Sequence, residues 1–251
     1  MKRLMLVAFS LLVVFSLVMS GCTTTPTAAA KVRVATDATF PPFEVVDEAT
    51  KELTGFDIEL MEAVAAKAGF EIEWVNTPFD TVITGVTQCD YDLAIAAITI
   101  TEDRKKEMLF SDPYVPAGQI VVIRKETTDI KGVADLVGKT IAAQLGTTGE
   151  IEAQKIEGVT YKPYDTYDLA FLDLTNGQVD AVIADYPTAL AFIGQNPDKI
   201  MLTGEVFTNE YYGIAACKTK TDLIEKINVA LKELTDAKVI YDLEQKYLAG
   251  Q

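Results

Sequence analysis

Apolar residues between positions 31 and 217 fall into short runs, and between the runs they recur every three or four positions. Runs too brief for a helix read as buried strands, and the three-to-four spacing reads as one face of a helix. Residues 31–37 alternate and end in Thr36-Asp37, which predicts a first strand with an acid at its carboxyl end. Phe40-Pro41-Pro42-Phe43-Glu44 is a stiff turn, and Val45, Val46 and Leu53 predict a hairpin around 47–51. Gly55-Phe56-Asp57 opens a helix with Ile58, Met61, Val64 and Ala65 on one face and a stop at Gly69. A strand over 71–75 and a helix over 80–87 follow, the latter just after Pro78-Phe79. The apolar run 93–98 predicts a buried strand, then a helix from Thr101 to about Phe110 and a turn at Ser111-Asp112-Pro113-Tyr114.

After a strand over 119–124 the pattern starts again. It predicts a short helical piece at 133–136, a strand at 139–143, and Gly146-Thr147-Thr148-Gly149 leading into a helix at 150–155. A strand at 160–164, a helix at 167–176 and a strand at 179–184 ending in Asp185 complete this stretch. Residues 85–97 and 174–184 read alike: a helix end, an Asp, then a buried strand. Helices alternating with short apolar strands indicate an α/β protein with parallel sheets. Two such units, each with its own core, indicate two lobes.

A further strand over 212–217 and two amphipathic helices, 221–234 and 239–248, have no lobe of their own to form. They are expected to return to the first lobe. The chain then crosses between lobes twice, near 115–118 and 210–213, and two crossings make a hinge. The expected division is 31–117 with 212–251 in lobe I and 118–211 in lobe II.

The stretch 91–106 carries the sharpest chemistry. Thr101 is a good N-cap, which places Arg104 at about the third helical position beside Glu102 and Asp103. Acids suit the positive end of a helix dipole and an arginine does not. The arginine makes sense there if it and the free N–H groups face one anion, since a guanidinium gives a carboxylate two parallel hydrogen bonds. The alternative is an arginine simply paired with Glu102 or Asp103.

The first 22 residues have a secretory signal shape: Met1-Lys2-Arg3, then an apolar run from Leu4 to Met19 broken by Ser10 and Ser16. It ends in Val18-Met19-Ser20-Gly21-Cys22, which looks like the lipobox of exported lipoproteins, with Met19 where Leu is usual. Cys22 would then be the lipidated first residue of the mature protein. The alternative is an uncleaved anchor helix. Residues 23–30 are small and polar, as a flexible tether should be. On either reading the folded part lies outside the cytoplasmic membrane.

Composition narrows the chemistry further. The formal charge is −15, and −17 without Lys2 and Arg3, so there is no electrostatic footprint for nucleic acid or anionic lipid. The chain has no His, which removes His-based triads, bases and metal ligands. Cys22, Cys89 and Cys217 are too few for a Cys-rich zinc site, and no cofactor is expected.

With these residues laid out, the chain resembles the extracytoplasmic solute-binding proteins of ABC importers, specifically the polar amino-acid-binding family. The resemblance covers about 31–248. It rests on Ala35-Thr36-Asp37-Ala38-Thr39-Phe40-Pro41-Pro42-Phe43-Glu44, Gly55-Phe56-Asp57-Ile58-Glu59-Leu60 and Ile98-Thr99-Ile100-Thr101-Glu102-Asp103-Arg104. Phe110-Ser111-Asp112-Pro113-Tyr114, Gly146-Thr147-Thr148 and Ala184-Asp185 follow in the same order. It implies a type II periplasmic-binding-protein fold, two α/β lobes joined by a two-strand hinge with the ligand cleft between them. It also implies a monomer that hands its ligand to a membrane-embedded permease and meets the membrane only through the lipid on Cys22.

Residue by residue, the resemblance gives Arg104 the ligand α-carboxylate, helped by backbone N–H near Ala97, by Thr99 and by Thr148 from the second lobe. It gives Asp185 the α-ammonium, Phe40 and Phe79 the walls around the ligand side chain, and Asp37 and Gln144 its polar end. Asp37, Thr99, Gly146 and Asp185 all fall beyond strand ends, where open α/β sheets bind ligands. Asp185 could instead cap the turn at Tyr186-Pro187, and Phe40 and Phe79 could be core aromatics. Arginine, glutamine and lysine remain open as ligands. In the resembled fold the returning strand lies antiparallel beside the strand at 92–97, which would bring Cys89 and Cys217 together as a disulfide or as two separate buried thiols.

Two rival readings stand beside this one. An extracytoplasmic dehydratase-like enzyme on the same fold would need Glu or Asp as its base, and an ammonium-binding Asp185 argues against a ligand lacking an amine. A sensor domain would continue into a membrane span, whereas this chain ends at Leu248-Ala249-Gly250-Gln251.

Overall fold

The computed structural model describes residues 31–249, so the expectations for the signal segment, Cys22 and the tether lie outside the described residues. Within them the chain forms β1 (Lys31–Thr36), β2 (Thr39–Phe40), β3 (Glu44–Val46), β4 (Leu53–Thr54), α1 (Phe56–Ala68), β5 (Glu71–Asn76), α2 (Phe79–Gln88), β6 (Leu93–Ala94), α3 (Glu102–Glu107), β7 (Leu109–Phe110) and β8 (Val115–Ala117). It continues through β9 (Gln119–Arg124), a 3-10 turn at Val133–Leu136, β10 (Thr140–Gln144), α4 (Thr148–Lys155), β11 (Thr160–Tyr164), α5 (Tyr167–Thr175), β12 (Ala181–Asp185), α6 (Tyr186–Gln195) and β13 (Ile200–Thr203). The last elements are β14 (Glu210–Tyr212), β15 (Ala215–Ala216), α7 (Thr221–Asp236) and α8 (Val239–Tyr247).

Two sheets with matching order make two lobes. The first runs β5-β1-β6-β15-β7 and the second β11-β10-β12-β9-β13. In each, three parallel strands meet an antiparallel strand that arrives from elsewhere in the chain: β15 beside β6, and β9 beside β12. The late strand β15 therefore belongs to the first lobe, and α7 packs on α1 there. Between the lobes β8 and β14 pair antiparallel, Val115 opposite Tyr212 and Ala117 opposite Glu210, at the two crossings expected from the chain pattern.

Three expectations need correction. The run 93–98 is strand only at Leu93–Ala94. Beyond it the backbone leaves the sheet, because Ala97 turns into the left-handed region (φ 47°) and gives its N–H to Asp57 Oδ2 at 2.7 Å. The helix from Thr101 ends at Glu107, not near Phe110, because Met108 is extended and buried and Leu109–Phe110 pairs with β15. The expected strand 212–217 is split in two at Gly213. Its N–H reaches Ile98 O (3.0 Å), and a Cβ there would lie 2.8 Å from the Ile100 side chain.

Two elements went unread in the pattern, α6 and β13. Pro187 at the start of α6 reads as a turn, but in the first helical turn a proline lacks only an N–H that would be unpaired anyway.

The returning strand closes a covalent link. Ala216 lies opposite Leu93, Cys217 N–H donates to Asp92 O (3.1 Å), and Cys89 and Cys217 form a disulfide with Cα atoms 5.0 Å apart. Of the two possibilities left open for these cysteines, the structure has the bridge. With its ends 128 positions apart in sequence, chain-entropy arguments give such a link about 4–5 kcal/mol at most. The expected outcome is that Cys89→Ala/Cys217→Ala lowers unfolding stability by up to that amount in denaturant titration while leaving ligand affinity within about twofold. An unchanged denaturation midpoint would argue against the link.

Candidate functional site

The carboxyl ends of β1 and β6 in one lobe face those of β10 and β12 in the other, and buried polar residues collect there. Thr101 is the N-cap of α3 and accepts from Arg104 N–H at 3.1 Å, which fixes Arg104 at the third helical position. Its neighbours do not pair with it: Glu102 takes Lys105 (2.8 Å) and Asp103 takes Lys106 (2.6 Å). Arg104 turns inward instead, to 9% exposure. Nη1 donates to Thr99 O (2.7 Å) in its own lobe and Nη2 to Gly146 O (2.8 Å) in the other, with the guanidinium over the Phe79 ring at 5.7 Å. Burial lowers its pKa to about 10, opposed by the negative charges of Asp185 and Glu210, so it stays a cation. The alternative of a simple local ion pair is excluded by this geometry.

Gly146 lets the lobes meet. Its φ of 77° lies in the left-handed region, and a Cβ would stand 3.2 Å from Asp80 Cα across the cleft. Behind it Thr147 caps α4 by accepting from Glu150 N–H (3.2 Å), and Thr148, first in the helix, points to the cleft.

Glu210, on hinge strand β14, is the residue missed in the sequence. It is 9% exposed, and its Oε2 accepts from Thr99 Oγ1 (3.0 Å), Thr148 Oγ1 (2.7 Å) and Gln119 Nε2 (3.3 Å), while Oε1 accepts from Thr208 (2.8 Å). The hydroxyls of the two lobes thus give their protons to one hinge carboxylate. In the sequence the only signal was an acid at a crossing otherwise made of Tyr and Gly.

Asp185 ends β12 at the N-cap position of α6, but its side chain makes no capping bond, so the capping alternative is not the one adopted. It is 3% exposed, and burial, reinforced by Glu210, pushes its carboxyl up to about 7, with Tyr212 and Gln119 beside it working against the rise.

Asp37, at the end of β1, accepts from Thr39 Oγ1 (2.8 Å) and, across the cleft, from Gln144 Nε2 (2.8 Å). Burial raises its carboxyl above the ordinary value. Gln144 Oε1 is buried and takes no hydrogen bond among the described residues.

Phe40 packs on Phe43 of its own lobe and on Tyr167 of the other at 5.5 Å, so it belongs to the core as well as to the cleft wall. Phe79 lies under Arg104. The N–H of Ala97 is committed to Asp57 and is not offered to the cleft, which corrects the expectation for that residue.

The arrangement therefore brings Arg104, Thr99, Thr148, Asp185, Asp37, Gln144, Phe40 and Phe79 together. Among the described residues of the cleft, the cation Arg104 lies near Asp185 and Glu210, and Asp37 is joined across the cleft to Gln144, which suits a ligand with a carboxylate and more than one positive charge.

Comparison with known proteins accords with this geometry. Residues 32–250 match the bacterial extracellular solute-binding proteins, family 3. The chain is 36% identical over 210 residues to ABC transporter arginine-binding protein 1 of Escherichia coli strain K12, covering 81% of this chain and 85% of that protein. Among solved structures it is similar to an ancestral arginine-binding protein bound to arginine, with TM-score 0.84, 42% identity and coverage of 87% of this chain and 98% of that one. An ancestral arginine-binding protein bound to glutamine gives TM-score 0.83, 43% identity and coverage of 88% and 98%.

The raised carboxyls fix a pH dependence. Asp185 at about 7 and Asp57 at about 6 lie above the ordinary 3.8, so between those values the folded chain binds more protons than the unfolded one. Stability contributed by these groups is then present below about pH 4 and falls as pH rises to about 7. The surface carboxylates held low by partners, such as Asp103 and Asp173, act below this window. The unliganded melting temperature is expected to be higher at about pH 5 than at about pH 8, and Asp185→Asn to flatten the difference. A melting temperature that climbs over that interval would contradict these assignments.

Proposed function

The chain belongs to the bacterial extracellular solute-binding proteins, family 3, and from that premise we propose that it captures a polar L-amino acid, arginine foremost with lysine and glutamine as alternatives, and passes it to a membrane-embedded ABC permease. The family is one of solute-binding proteins, not enzymes. The observation that carries the choice of ligand is the charge balance of the cleft: buried Arg104 against Asp185, Glu210 and Asp37. A zwitterion with a cationic side chain neutralises that excess better than a neutral one does.

In this reading Arg104 grips the α-carboxylate, which competes with Glu210 for the protons of Thr99 and Thr148. Asp185, ionised as the ligand arrives, takes the α-ammonium. Phe40 and Phe79 flank the side chain. Asp37 and the unpaired Gln144 Oε1 are acceptors suited to a guanidinium, which has only donors. The ligand bridges both lobes, so binding favours the closed hinge. The relative named for arginine and the ancestral arginine-binding proteins solved with arginine and with glutamine support both ligands as candidates. The protein works as a monomer outside the cytoplasmic membrane, held to it by lipid on Cys22 at the end of the Val18-Met19-Ser20-Gly21-Cys22 motif.

Isothermal calorimetry against a panel of amino acids tests the reading. Arg104→Ala is expected to cost every ligand about 2–5 kcal/mol, because each presents the same carboxylate. Asp185→Asn should weaken all of them too. Near-wild-type affinity in the first variant, or a change confined to side-chain preference in the second, would refute the assignments. Gln144→Ala and Phe79→Ala should instead alter the rank order, with arginine losing more than glutamine in Gln144→Ala. A uniform loss across the panel would remove Gln144 from side-chain recognition.

A further inference from the structure

Behind the cleft wall of the first lobe lies a second pair of acids to which the ligand reading gives no contact with the ligand. Glu44 and Asp57 are both wholly buried. The start of α1 docks against the turn before β3, with Phe56 N–H on Pro42 O (3.1 Å) and Asp57 N–H on Phe43 O (2.9 Å). This approach requires glycine at 55, where φ is 130° and a Cβ would lie 2.1 Å from Phe43 O. It puts the two carboxyl groups in hydrogen-bond contact. Around them the rings of Phe43, Phe56, Tyr114 and Tyr212 pack on one another at 5.2–6.3 Å.

The hydrogen bonds around the pair are unequal. Asp57 Oδ2 accepts from Ala97 N–H (2.7 Å) and from Tyr114 OH (2.8 Å). Asp57 Oδ1 and both oxygens of Glu44 receive no hydrogen bond from any N–H or O–H group among the described residues. The charged groups acting on Glu44 are Asp57 on α1, Asp37 after β1 and Asp185 at the end of β12, all acids. Two touching carboxylates without a cation cannot both be ionised. One proton turns two facing acceptors into a donor and an acceptor.

We propose that Glu44 is held as the un-ionised acid and donates to Asp57, and that this shared-proton pair is a positioning device for both the ligand loop and the hinge. Asp57 is the partner that keeps the negative charge, because its Oδ2 already has two donors. Burial and the surrounding acids push the Glu44 carboxyl well above its ordinary range, while the donors on Asp57 restrain its rise. One arm of the pair holds Ala97 in its left-handed turn, two residues before Thr99, whose carbonyl orients Arg104. The other arm holds Tyr114, the residue before hinge strand β8. The positioning role rests on the ligand reading above; the protonation state does not.

Infrared spectroscopy of the unliganded protein tests the proton directly. At about pH 8, above the range in which Asp185 ionises, the carbonyl band of an un-ionised carboxyl is expected in the wild type and in Asp185→Asn, and is expected to vanish in Glu44→Gln. Glu44→Gln keeps the fold, since its amide supplies the N–H that Asp57 needs. No such band in the wild type, or a band that survives in Glu44→Gln, overturns the proposal. Calorimetry with arginine tests the positioning. Glu44→Gln should bind within about threefold of wild type near neutrality, because its amide replaces the donated proton, whereas Asp57→Ala should weaken arginine at least about tenfold. Wild-type affinity in Asp57→Ala, or a loss of about tenfold in Glu44→Gln, removes the positioning role. Failure of every form to bind arginine would instead count against the ligand reading, and the infrared result would still decide the proton.

Discussion

A guanidinium withdrawn from water needs acceptors for its N–H groups, and Arg104 finds its two in different lobes: Thr99 O on one side of the cleft and Gly146 O on the other. That requirement organises the rest of the site. Thr101 caps the helix carrying Arg104, and with the helix starting there the Arg104 side chain turns inward. The second lobe must bring a bare carbonyl close, so residue 146 has no side chain. The two surface acids beside Arg104 are occupied by Lys105 and Lys106, which leaves its charge for the interior.

Around this cation the polar network is built from acceptors. Glu210 takes the protons of Thr99 and Thr148, and Asp37 takes that of Gln144. Hydroxyl groups have one proton each, so on the proposed reading a ligand carboxylate reaching Arg104 draws those protons away from the hinge. The hinge strand is thus a party to binding through its side chain as well as through its backbone. The acid pair Glu44–Asp57 extends the same logic one layer deeper, where the ligand loop at Ala97 and the hinge entry at Tyr114 share one carboxylate oxygen.

The alternation of apolar runs and amphipathic stretches made the two lobes, the crossings at β8 and β14 and the position of Arg104 legible, because each is a local pattern with a local cause. The errors occur where tertiary contacts override that pattern. Residues 93–98 look like one strand, yet Asp57, some forty positions earlier, captures Ala97 N–H and turns the chain away. Leu109 and Phe110 continue a helical pattern, yet their backbone pairs with β15, which comes from beyond the second lobe. Glu210 escaped notice for the same reason. Nothing in its neighbours signals that hydroxyls from residues 99 and 148 converge on it. The charge of a buried acid is set by what surrounds it in space, and spacing along the chain does not carry that.

Closure is opposed and favoured by different parts of the same network. Hydrogen bonds from Arg104 to Gly146 and from Gln144 to Asp37 join the lobes with no contribution from a ligand. Burying Asp185 near Glu210 works the other way, since it pushes the Asp185 carboxyl to about 7 and makes its ionised form costly in the closed state. On the proposed ligand reading, a ligand ammonium cancels that cost, and a cationic side chain beside Asp37 lowers it further. A ligand shifts a two-state equilibrium only by its difference in affinity for the two states. On that same reading, an amino acid that reaches Arg104 without a matching cation leaves the Asp185 charge uncompensated and favours the shut hinge less.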